Sequence, residues 1–144
     1  MQLADSEPAG FFLNWLGEWH YHLLHFPIAL VIMTVIAEAV CYFKRDPMYC
    51  LSARFMLWAA AIAFIPTVLS GYLLSKKFVF AGTPLEETFW WHAFWGIFSL
   101  ILCWFALLLR EWGRRANLYY LALLLLLVSV CIAGSLGGRM AFGI

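Results

Sequence analysis

Charge is what this sequence has least of. Lysine, arginine, aspartate and glutamate make up 12% of its 144 residues, where a soluble domain carries about 25%. The net charge is +1, so there is neither a basic field for nucleic acid nor an acidic tail. Its four cysteines, Cys41, Cys50, Cys103 and Cys131, form no C-x-x-C or C-x-x-C-H. That excludes covalent c-type haem attachment and the usual zinc spacings, and cysteines scattered through apolar runs read as small packing residues. The opening "MQLADSEPAG" lacks the basic region of a signal peptide, so the first hydrophobic span is expected to be retained. No nucleophile–base pair or open metal site stands out, and catalysis by this chain alone is not expected.

What is present is hydrophobic, at 65%, with 19% aromatic. Charges divide the chain into four apolar runs, 23–43, 55–75, 88–109 and 116–138. Each is long enough, at about 1.5 Å per residue, to cross a hydrocarbon core of roughly 30 Å. Only helices span lipid in segments of this kind, because each must satisfy its own backbone polar groups. The expected fold is all-α: one transmembrane domain over 1–144, a four-helix bundle.

The loops set an orientation. Lys44, Arg45 and Arg54 follow the first run, and Arg110, Arg114 and Arg115 follow the third. The N-terminal segment offers Asp5, Glu7 and Glu18, and the loop after the second run balances Lys76 and Lys77 with Glu86 and Glu87. The excess of bases places the first and third loops in the cytoplasm and both termini outside. "FFLNWLGEW", Phe11 to Trp19, is expected as an interfacial helix on the outer surface. Trp15, Trp19, Trp90 and Trp91 then mark the outer boundary, and Trp58 and Trp112 the inner one.

"WHYHLLHFPIAL", Trp19 to Leu30, puts three of the four histidines where the first run begins. His20 and His22 read as polar anchors among the headgroups. His25 opens the first span and His92 the third, at similar depth. The second and fourth spans return to that level with Gly71 and with Gly134, Gly137 and Gly138. Aligning Gly71 with Gly134 also pairs Lys76 with Arg139, which hints at a tandem repeat of two helical hairpins. On that reading His25 and His92 face one another.

Two imidazoles at equal depth suit the axial positions of a b-type haem. The glycines would admit the porphyrin edge, and Lys76 and Arg139 would neutralise its propionates. Gly96, Ser99, Cys103 and Ala106 continue from His92 as a stripe of small side chains, which serves either close helix packing or a flat macrocycle. Glu18, His22 and His25 form a weaker non-haem set, because bundle metal sites draw carboxylates from several helices. Glu38 lies about 140° around the helix from His25, so it belongs to another site. It is expected to pair with Arg45 or Arg54, or to be protonated.

"HFPIAL" (His25–Leu30), the H-x-x-x-G of His92–Gly96 and "GSLGGRMAFG" (Gly134–Gly143) together resemble an uncharacterised bacterial family of four-helix membrane proteins. That family is often encoded with, or fused to, c-type cytochrome domains. The resemblance implies a haem-bearing redox module with His25 and His92 on its motif positions. Many relatives look like G-H-L-G-G where this chain has Gly134-Ser135-Leu136-Gly137-Gly138; Ser135 cannot replace an imidazole, which leaves the His25/His92 pair.

The resulting expectation is an inner-membrane electron-transfer subunit with one b-type haem near the periplasmic face, held by His25 and His92. Its partners would be other subunits of a redox complex, with a periplasmic cytochrome or a quinone as redox partner. A cofactor-free structural anchor is the competing class. A transporter fits less well, since no central helix is broken beyond Pro66 and no chain of buried charges is visible.

Overall fold

The computed structural model describes residues 8–76, 82–113 and 116–142. Asp5, Glu7, Lys77, Arg114, Arg115 and Gly143, named above, lie outside them. Every described element is helical: α1 (Pro8–Glu18), α2 (His20–Leu23), α3 (His25–Lys44), α4 (Pro47–Ser75), α5 (Glu86–Trp112) and α6 (Ala116–Phe142). Four helical stretches are long and apolar enough to cross a membrane, and the first runs unbroken from Gly10 to Lys44. The first span is therefore longer than expected, because Trp19 and Leu24 keep right-handed helical dihedrals where α1, α2 and α3 join.

Local chemistry ends and starts these helices. Arg45 closes α3 in the left-handed region at φ 54°. Asp46 then caps α4 by accepting from the Met48 N–H at 2.9 Å, with Pro47 at the first helical position, where its missing N–H costs nothing. The reversal takes two residues, so Cys41 and Cys50, one turn either side of it, meet in a disulfide with Cα atoms 5.2 Å apart. This corrects the packing role expected of those two cysteines; Cys103 is free and buried, and Cys131 is free and exposed. Gly113 ends α5 at φ 62°, a conformation that suits glycine.

The bundle is a ring in which α3 packs on α4, α4 on α5, α5 on α6 and α6 on α3. Val31, Leu57, Ala60, Phe64, Cys103, Ala106, Leu123 and Leu126 lie at its centre. Small residues on every helix let the backbones approach, the usual basis of helix association in lipid. α1, where an interfacial helix is expected, continues into the first membrane-length stretch and is seated on the end of α4. A Cβ on Gly17 would stand 2.8 Å from the Leu74 backbone nitrogen, so only glycine fits that contact.

One guanidinium joins all four spans. Arg110 on α5 pairs with Glu38 on α3, donates to the Tyr119 hydroxyl on α6 at 3.0 Å, and donates to the Cys50 carbonyl on α4 at 2.6 Å. Tyr119 also donates to Glu38 at 2.8 Å. This corrects the expected partners of Glu38. Arg54 instead forms a forked pair with Glu111, at 2.7 and 2.6 Å, to which Trp58 donates at 3.1 Å. Glu38 is 4% exposed, and such a carboxylate persists only when its charge is matched and its oxygens are bonded.

Glu38→Ala leaves Arg110 charged and unmatched among the helix ends, and is expected to cost about 3–5 kcal/mol. Adding Arg110→Met should recover much of that loss, since no lone buried charge then remains. Denaturation of the detergent-solubilised single and double variants measures both.

Candidate functional site

At the end of the bundle opposite Arg110, two imidazoles come together, and they are His20 and His92. His20 stands on α2 with Nδ1 2.8 Å from the Thr67 carbonyl oxygen of α4. His92 stands on α5 with Nδ1 2.9 Å from the Ala133 carbonyl oxygen of α6. The ring centroids are 6.2 Å apart and the planes nearly perpendicular, at 85°. A carbonyl only accepts, so each Nδ1 carries a hydrogen, and in the neutral ring each Nε2 keeps its lone pair.

Glycine makes room for each ring. A Cβ on Gly71 would lie 2.9 Å from Cε1 of His20, and one on Gly137 would lie 3.0 Å from Cε1 of His92. The carbonyl that holds each ring belongs to the residue one turn before that glycine. Among the described residues neither Nε2 has a hydrogen-bond partner. No buried side-chain nitrogen or oxygen among them lacks one, so both Nε2 atoms are open at the surface of the chain.

The two halves of the chain repeat this arrangement. His20, Pro27, Val31, Thr34 and Glu38 stand at the same spacing as His92, Ser99, Cys103, Ala106 and Arg110. Apart from the two histidines and Arg110, all of these are buried. On the returning helices Ala53, Leu57, Ala60, Phe64 and Gly71 correspond at one constant offset to Tyr119, Leu123, Leu126, Val130 and Gly137. The tandem repeat is therefore legible, but its register pairs Gly71 with Gly137, not with Gly134. An imidazole seated on each glycine fixes that register. Both contacts across the pseudo-axis, His20 to His92 and Glu38 to Arg110, join equivalent positions.

The other expected site residues are dispersed. His25 is exposed and holds the Tyr21 carbonyl oxygen of its own helix at 3.0 Å, so it does not face His92. His22 is exposed and tilts against Trp19, with ring centroids 5.9 Å apart, which suits the doorway role. Gly71 lies against the His20 imidazole and Gly137 against that of His92. A Cβ on Gly134 would approach Ile28 at 3.8 Å, and one on Gly138 or Gly96 would meet nothing within 4 Å. Lys76 is exposed with Nζ 4.6 Å from the Tyr72 ring centroid, and Arg139 is exposed. Ser99, Cys103 and Ala106 are buried, and Ser99 bonds Ser129 of α6 at 2.8 Å, so this stripe serves helix packing. Among the described residues no three His, Cys, Asp or Glu side chains gather as a metal set, and Glu18, His22 and His25 do not converge.

Sequence reading missed two meetings, that of His20 with His92 and that of Glu38 with Arg110. One signal was available: Glu38 follows His20 by five full helical turns, as Arg110 follows His92.

A family model described as predicted membrane protein (DUF2231) matches residues 19–144. The matched segment holds both imidazoles, both glycines and the Glu38–Arg110 pair, and leaves α1 outside. No curated protein and no solved structure matches the chain.

Gly71→Ala and Gly137→Ala should each destabilise the protein by about 1–3 kcal/mol, although alanine ordinarily favours a helix by about 1 kcal/mol. In a His20→Ala background the cost of Gly71→Ala should vanish, since the new methyl group then meets no ring. A double-mutant cycle on thermal unfolding reads this coupling.

Proposed function

The chain belongs to the DUF2231 family of predicted membrane proteins, and for this member we propose a role as a membrane electron-transfer subunit that holds one b-type haem between His20 and His92. The observation that carries this reading is the adjacent pair of imidazoles, each with Nδ1 tied to a carbonyl and Nε2 without a partner among the described residues. A metal–imidazole bond is about 2 Å long. Two such bonds plus the ring radii separate the ring centres by roughly 6 Å, which the observed 6.2 Å matches. The Nδ1–H to carbonyl bond is also the usual way a ligating histidine is oriented.

His20 and His92 act as ligands through Nε2. The Thr67 and Ala133 carbonyls fix the ring rotation and raise the basicity of Nε2. Lys76 and Arg139, at the same end of the bundle, supply positive charge for carboxylates at the water boundary. A bound haem supplies one-electron exchange, with a potential set by these ligands, their hydrogen bonds and burial. By the distribution of bases the histidine end faces the periplasm and the arginine end the cytoplasm of a bacterial inner membrane. The electron partner is then a periplasmic c-type cytochrome or a quinone of the outer leaflet, inside a larger redox complex.

A cofactor-free anchor subunit draws on a specific observation too. Each imidazole already fills the space over its glycine and is hydrogen-bonded to backbone, as a structural histidine would be.

A reduced-minus-oxidised absorption spectrum of the detergent-purified protein separates the readings. The expected result is a six-coordinate b-type spectrum that His20→Ala and His92→Ala abolish or convert and His25→Ala leaves intact. Loss in His25→Ala with His20→Ala unaffected would return the ligand role to His25. Protein purified without haem, under conditions that retain it in other membrane cytochromes, would leave the anchor.

A further inference from the structure

At the arginine end, the disulfide-bonded pair Cys41 and Cys50 lies apart from the histidine site. We propose that this pair is a thiol–disulfide exchange site, reduced by a soluble thiol of the glutathione or small-dithiol class. Three observations meet there. The two-residue reversal between α3 and α4 holds the cysteines at bonding separation, with Cα atoms 5.2 Å apart. Both residues are only half-buried, one turn from the charged reversal where an aqueous thiol would approach. The turn that carries them also carries Lys44 and Arg45, with Arg54 one turn beyond Cys50. On the orientation given under Proposed function, on which this inference rests, that excess of bases puts the pair in the cytoplasm.

A purely structural disulfide does not persist in that compartment, where thiol pools keep cysteines reduced. A pair that only packed would have no reason to be set at bonding distance beside a capped turn. Reversible oxidation reconciles the two facts. In the reducing direction one thiolate of the reductant attacks a sulfur of the bridge, giving a mixed disulfide and one free cysteine thiolate. A second thiol of the reductant displaces the remaining cysteine. The reductant leaves as its own disulfide, having given two electrons and two protons, and Cys41 and Cys50 end as thiols.

The consequence for the bundle runs through one atom. The Cys50 carbonyl oxygen accepts from Arg110, the guanidinium that also holds Glu38 and Tyr119. Oxidation pins Cys50 to α3, and so fixes the α4 end of the contact that gathers all four spans. Reduction removes that covalent tie and leaves the packing of α3 on α4 to hold that end.

The test uses the full chain in native membrane vesicles. Vesicles are equilibrated in glutathione buffers of graded ratio, quenched with acid and alkylated, and the peptides carrying Cys41 and Cys50 are weighed against those carrying Cys103 and Cys131. The expected result is a two-electron change at Cys41 and Cys50 within the glutathione range, with Cys103 unpaired throughout. A membrane-impermeant maleimide should label the reduced pair in inside-out vesicles and leave it unlabelled in right-side-out ones. A pair that stays oxidised across the series, or stays reduced in oxidised glutathione, overturns the proposal and leaves the orientation standing. Labelling from the right-side-out face overturns the proposal together with the orientation, because the pair then lies in an oxidising compartment as a fixed staple. Neither result bears on haem ligation, which is tested at the opposite end; a reversed orientation changes only the side from which an electron partner approaches.

Discussion

The contact on which this bundle turns is the guanidinium of Arg110. It reaches a carboxylate on α3, a hydroxyl on α6 and a backbone carbonyl on α4 while rooted in α5. Apolar packing alone sets neighbouring spans side by side with little preference for rotation, because lipid tails are as apolar as the helices' own side chains. A planar cation with five donors does have a preference, since each donor must find an oxygen in the right direction. With Arg110 and Glu38 matched, each helix presents one face inward, and the faces of α3 and α5 continue to the other end of the bundle.

That continuation links the charged end to the histidines. Along α2 and α3 the inward face carries His20, Pro27, Val31, Thr34 and Glu38; along α5 it carries His92, Ser99, Cys103, Ala106 and Arg110. A rotation that broke the ion pair would also carry His20 away from His92. The two halves thus meet twice across one pseudo-twofold axis, through unlike charges at one end and like imidazoles at the other. Two equal charges at the first position would repel in a poorly solvated interior. Two neutral imidazoles at the second do not, and they leave a pair of open nitrogens. This divergence lets one end act as a clamp while the other remains chemically available.

Much of the fold was legible, and so was half of the candidate site. The four spans, the charged turns and the helix stops came through because each is set by residues adjacent in the chain. His92, Gly71 and Gly137 came through as unusual residues at one depth. His20, expected as a headgroup anchor, is the histidine that lies beside His92, and His25 lies elsewhere; both stand at the same boundary, and composition does not separate them. Position around the helix does, since five residues turn the face by about 140°. Gly17 was missed for a related reason: a glycine that admits another helix's backbone resembles any other glycine until that backbone is in place.

By itself the sequence determined that this is a multi-pass helical membrane protein, where its four apolar runs lie, and that its unusual polar residues cluster at the span ends. Those properties follow from local rules: runs of about twenty apolar residues must satisfy their own backbone in lipid, and caps and turns are written within a few positions. Only the tertiary structure decided that His20 faces His92, that Arg110 neutralises Glu38, that Cys41 meets Cys50 and that Gly71 corresponds to Gly137. Each of these depends on how helices are rotated and paired. That rotation is set by side chains far apart in the chain, whose meeting no local pattern records.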